Sequence, residues 1–145
     1  MNWGSISIER LNDYNTRLVA VVSIQEQIES LELQYSSIRS AATEDTPVRG
    51  GGSNREDALL NNIAKREELK RNLEIAEKEI SITQKGLSVL SEQERRVLTM
   101  FYIARPKDYM KRLCEEMMFE KTKIYQIKDQ ALTKFTKAVY GIIQI

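Results

Sequence analysis

Two stretches of this chain, residues 5–40 and 54–90, contain no proline, and their apolar residues return every three or four positions. That period lines apolar side chains along one stripe of an α-helix, so a strand-based fold is disfavoured from the outset. In the first stretch the stripe is Leu11, Leu18, Val21, Ile24, Ile28, Leu31 and Ile38, with Tyr14 and Tyr35 interleaved. Its spacing takes an extra step of three between Val21 and Ile24, which predicts a stammer and a locally overwound coiled coil. In the second stretch, Leu59, Asn62, Arg66, Leu69, Leu73, Ala76, Ile80, Thr83, Leu87 and Leu90 alternate by three and four without a break. Asn62, Arg66 and Thr83 are polar at seam positions, a pattern that costs stability and fixes register or oligomer state.

The segment between these helices, residues 41–54, contains Thr46-Pro47 and Gly50-Gly51-Gly52-Ser53. Proline stops a helix and consecutive glycines raise the entropy cost of order, so an exposed connecting loop is predicted. Arg49 beside the glycines could suggest a phosphate cradle, but no Gly-Lys-Ser/Thr follows, and a linker is the better reading. Ser53 and Glu56 have capping-box spacing and mark the expected start of the second helix. An antiparallel hairpin within one chain is the preferred arrangement, and pairing of both helices between chains is the alternative. Either way residues 1–90 form a helical scaffold expected to set the oligomer, and residues 91–145 form a second domain.

Composition narrows the chemistry. The chain has 145 residues and no histidine, which removes the commonest general base and metal ligand together. Cys114 is the only cysteine, so neither an internal disulfide nor a zinc site of the usual kind can form. No enzyme activity, metal or cofactor is expected. The start of the sequence lacks a basic-then-apolar signal, and the longest apolar runs, such as Leu18–Val22, are too short to span a bilayer. A soluble protein of a reducing cytoplasm, without a membrane partner, is the expectation. Net charge is only +1, but residues 91–145 carry 11 Lys/Arg against 7 Asp/Glu, whereas residues 1–90 carry 11 against 14. The C-terminal third is the electropositive part.

That third reads as three short helices. Ser91 and Glu94 form a second capping-box match, Val97, Leu98, Phe101 and Tyr102 supply an apolar face, and Ala104-Arg105-Pro106 ends the helix. A helix from about Lys107 to Glu116 would bury Met110, Leu113, Cys114 and Met117. After a connection at Met117–Glu120, the last helix places Ile124, Ile127, Ala131, Leu132, Phe135 and Val139 on one face. Lys121, Thr122, Lys123, Gln126, Lys128 and Lys134 lie off that face.

The strings Leu90-Ser91-Glu92-Gln93-Glu94-Arg95-Arg96-Val97-Leu98, Leu113-Cys114-Glu115-Glu116-Met117, Ile124-Tyr125-Gln126-Ile127 and Ala131-Leu132-Thr133-Lys134-Phe135 resemble region four of bacterial sigma factors. The whole layout is similar to the RinA and ArpU families of phage late-gene regulators. The resemblance implies an all-α fold with a long helical hairpin followed by a helix-turn-helix, and a sequence-specific DNA-binding regulator that activates late genes. It implies that Lys121, Thr122, Lys123, Tyr125, Gln126 and Lys128 face the major groove, while Arg105, Lys107, Lys111 and Arg112 hold phosphates. The implied partners are double-stranded DNA, further copies of the chain through the hairpin, and host RNA polymerase. Met118 stands where the family turn has glycine and Glu120 where it has a capping serine, which predicts a longer or looser turn. A small packaging protein of the terminase type and a coiled-coil adaptor that binds no DNA are the competing readings. The apolar tail Gly141–Ile145 has no assigned role.

Overall fold

A computed structural model describes residues 1–41 and 51–141, with side chains of the second helix described from Asn54 onward. The described residues are all-α, without strands. They form α1 (Trp3–Ala41), α2 (Gly51–Ser88), α3 (Glu92–Leu98), α4 (Tyr109–Met117) and α5 (Lys121–Tyr140), and the end of α3 widens into a π-turn at Thr99–Ile103. Most of the expected loop at 41–54 lies outside the described residues. The expected helix start at Ser53 does not hold: α2 already begins at Gly51, so Ser53 is inside the helix and cannot adopt the extended backbone of a cap.

The chain divides into two compact units, Val19–Glu77 and Met1–Leu18 with Lys78–Ile145. In the first, α1 and α2 pair within one chain and in opposite directions. Arg55 reaches the Ala41 carbonyl at 3.4 Å, and Asn62 Nδ2 donates to the Leu31 carbonyl at 2.8 Å. Asn62 Oδ1 accepts from Arg66 Nε at 2.8 Å, and the Arg66 guanidinium lies 4.8 Å from the Tyr35 ring centre. Two of the three polar seam residues are thus joined in one network that ties a single register to a backbone carbonyl.

The predicted stammer is not present. Leu18 is 38% exposed, and Arg17 takes the seam position in its place, 3.9 Å from Glu79. The contacts then run Tyr14, Arg17, Val21, Ile24, Ile28, all partly buried, in regular alternation. Apolar periodicity misses this because a long arginine can occupy a seam position with its stem and keep its charge on a carboxylate.

The second unit holds two adjoining apolar clusters. Leu11, Leu90, Leu98, Ala131 and Phe135 form one, and Val97, Met100, Phe101, Leu113, Ile124 and Ile127 the other. Gly86 makes the first possible, since a Cβ there would lie 2.6 Å from both Phe135 Cε2 and Val139 Cγ2. The start of α1 is fastened to the end of α5: Trp3 packs against Tyr140 with ring centres 4.8 Å apart and planes tilted by 34°, and Arg10 bonds both Tyr140 Oη and Glu79. Buried Ser7 and Thr136 share a 2.8 Å bond. Because the Thr136 hydroxyl already donates to the Leu132 carbonyl at 2.7 Å, Ser7 is the donor. The capping box predicted at Ser91 is present, with Glu94 N–H donating to Ser91 Oγ and Ser91 N–H to Glu94 Oε1.

Candidate nucleic-acid interface

Helix α5 owes its placement to its inner face and to the turn before it. Ile124, Ile127, Ala131 and Phe135 are buried at helical spacing, which rotates Lys121, Thr122, Lys123, Tyr125 and Gln126 to the exposed side. The turn is short and well defined, not the longer or looser one that its sequence predicts. Met117 ends α4, Met118 takes the left-handed conformation at φ 57° and ψ 40°, and Lys121 begins α5. Met118 pays the backbone cost that glycine would avoid while its side chain stays 89% exposed. Glu120 sits at the cap with extended backbone but makes no side-chain capping bond.

Helices α3 and α4 are locked by a fork between the Arg96 guanidinium and Glu116, with bonds of 3.1 and 2.8 Å. The fork raises the pKa of Arg96 and holds the Glu116 carboxyl below its ordinary value, chiefly through these hydrogen bonds. At the other end of α3, Lys134 lies 3.0 Å from Glu94. Lys134 is therefore committed to the fold, although spacing alone groups it with the outward lysines.

The ten sequence-predicted site residues fall into distinct settings. Lys121, Thr122 and Gln126 are exposed, and among the described residues none has a side-chain partner. Lys123 is exposed, with its ammonium 5.9 Å from the Phe119 ring centre. Tyr125 is 45% exposed. Lys107, Lys111 and Lys121 line one cleft of about 480 Å³ that Met110 and Cys114 also line. Arg105 instead folds onto Tyr109, with a 2.8 Å bond to its hydroxyl and the guanidinium 4.1 Å from the ring centre. Arg112 pairs with Asp108 at 2.9 Å.

Lys128 differs from the other lysines of α5. Its side chain is only 20% exposed, its ammonium bonds Asp129 at 2.6 Å, and it lies 5.8 Å from the Tyr125 ring centre and 6.0 Å from that of Phe101. Burial opposes its charge, but Asp129 and the neighbouring phenols more than offset that, and its pKa is raised. Phe101 meets Tyr125 edge-on at 5.8 Å and 75°. Sequence reading missed Phe101 as a support for this face, because the π-turn that aims its ring leaves no mark in apolar periodicity.

Among the described residues no helix is long and apolar enough to cross a membrane. None of the family models, curated proteins and solved structures compared with the chain matches it.

Proposed function

We propose that the protein is a sequence-specific regulator of transcription that binds double-stranded DNA through α4, its turn and α5 acting as a helix-turn-helix. It would act in the cytoplasm of a bacterial host as a late-gene activator of the RinA/ArpU type. The observation that carries the reading is the exposed start of α5, where Lys121, Thr122 and Gln126 have no side-chain partner among the described residues although the helix beneath them is packed on the core. Lysine matches guanine acceptors, and glutamine can bond adenine at two atoms. Lys107 and Lys111, sharing a cleft with Lys121, are suited to adjacent phosphates, which set the register of a protein on DNA. Arg105 and Arg112 would have to leave Tyr109 and Asp108 to join them. A second copy pairing through the hairpin, and host RNA polymerase as a further partner, complete the proposal.

The test is to incubate the protein with sheared DNA of its source genome, recover the bound fragments and sequence them. Enrichment upstream of a gene cluster is the expected result. Enrichment within packaging genes would instead favour a terminase-type role, and no enrichment would leave an adaptor. Replacing Lys121 and Lys123 by alanine should lower affinity by about tenfold or more, the scale of losing one to two good base contacts, with helicity unchanged.

A further inference from the structure

Tyr125 is a half-exposed aromatic ring in the middle of an otherwise polar and charged face. Its ring is braced by two neighbours. Phe101 supports it edge-on, and Lys128 holds a cation against it while being neutralised by Asp129. A side chain held in one rotamer before binding loses little entropy when it makes a contact. The edges of base pairs in the major groove are hydrogen-bonding groups, with one apolar exception, the 5-methyl group of thymine.

We infer that Tyr125 reads a thymine methyl through its ring, and that Lys128 is a positioning residue for Tyr125 and not a DNA contact. The inference rests on the DNA-binding reading above and adds to it the specificity of one position. Charge makes the role of Lys128 separable. A lysine that neutralises a phosphate releases a counterion and steepens the salt dependence of binding, whereas a lysine committed to Asp129 and two rings does not.

The probe is the best-retained duplex selected from a random pool of about 20 base pairs, roughly two helical turns. It is compared with copies in which each thymidine in turn is replaced by deoxyuridine, which lacks only the methyl. Wild-type protein should bind one of these copies about fourfold more weakly, the value of one buried methyl-sized group. Tyr125→Phe should retain that methyl dependence, and Tyr125→Ala, checked for unchanged helicity, should lose it. Lys128→Met should weaken the methyl dependence without altering the slope of log affinity against log salt, and Lys128→Arg should restore it.

The inference is overturned if no deoxyuridine substitution matters, or if Tyr125→Phe loses as much as Tyr125→Ala, which would place the contact at the hydroxyl. It is also overturned if Lys128→Met lowers the salt slope by about 0.9, the mark of one lost phosphate contact. If wild-type protein retains no duplex from the pool, the DNA-binding reading itself fails and takes this inference with it.

Discussion

The unit Val19–Glu77 and the unit built from Met1–Leu18 and Lys78–Ile145 share the two long helices α1 and α2, yet they hold together by different means. Every buried apolar side chain among the described residues belongs to the second unit, from Leu11 through Phe135. In the first, the one buried residue among those described is Asn62, which is polar, while Ile24, Ile28, Leu31, Leu69 and Leu73 are only partly covered. Two helices offer each other a single line of contact, and the flanks of a seam side chain stay open to water. Adding α3, α4 and α5 closes those flanks around Phe135 and Ile124. An unbroken heptad seam therefore specifies pairing and register but does not by itself produce a core.

Unequal stabilities should follow. Phe135→Ala removes a fully buried ring and should cost about 3–5 kcal/mol in urea unfolding, whereas Leu31→Ala, starting half-covered, should cost clearly less. Equal costs would mean that the hairpin seam is covered in solution, as pairing with a second copy would cover it, and the contrast between the units would fail. Next in size, Gly86→Ala should destabilise by about 1–3 kcal/mol through collision with Phe135 and Val139. An ordinary helix glycine would instead gain roughly 1 kcal/mol from the same change, so the sign of the effect is the measurement.

Much of this fold was legible in the sequence. The α2 seam from Leu59 to Leu87, the capping box at Ser91 and the inner face of α5 are local patterns, each built from steps of three or four residues. What was not legible depends on contacts distant in the chain. Ser7 with Thr136, Trp3 with Tyr140 and Leu11 with Phe135 carry no mark of their partnership. Arg17, not Leu18, takes the seam position, with Glu79 3.9 Å away on the facing helix, which no spacing rule can supply. Of the site, the outward residues at the start of α5 followed from period alone. The commitments of Lys128 to Asp129, Arg105 to Tyr109 and Lys134 to Glu94 did not, although each decides how free a cation is.

The second unit should also respond to acid. Burial raises the Glu94 pKa, but hydrogen bonds from Ser91 and Lys134 outweigh it, and the net shift is downward from 4.5. A carboxylate whose folded pKa is depressed contributes stability above its unfolded value and loses that contribution as pH falls through the folded one. Stability of this unit should therefore decline below about pH 4.5, and Glu94→Gln should flatten the decline. Ser91→Ala, which removes the other half of the capping box, should cost about 1 kcal/mol at neutral pH. If Glu94→Gln leaves the acid limb unchanged, other carboxylates govern it.

The smallest expected effect concerns the turn. Met118 occupies a left-handed conformation that costs a residue with a Cβ roughly 1–2 kcal/mol and glycine almost nothing. Its side chain is exposed, so Met118→Gly sacrifices little packing, while the greater freedom of glycine in the unfolded chain takes back part of the gain. The net should be a stabilisation of about 0.5–1 kcal/mol, read as a higher urea midpoint with an unchanged slope. Affinity for the selected duplex should not change, because the turn already holds α5 in place. A stabilised variant with weaker binding would show instead that the Met118 side chain contributes to the contact, and that its backbone cost is retained for that reason.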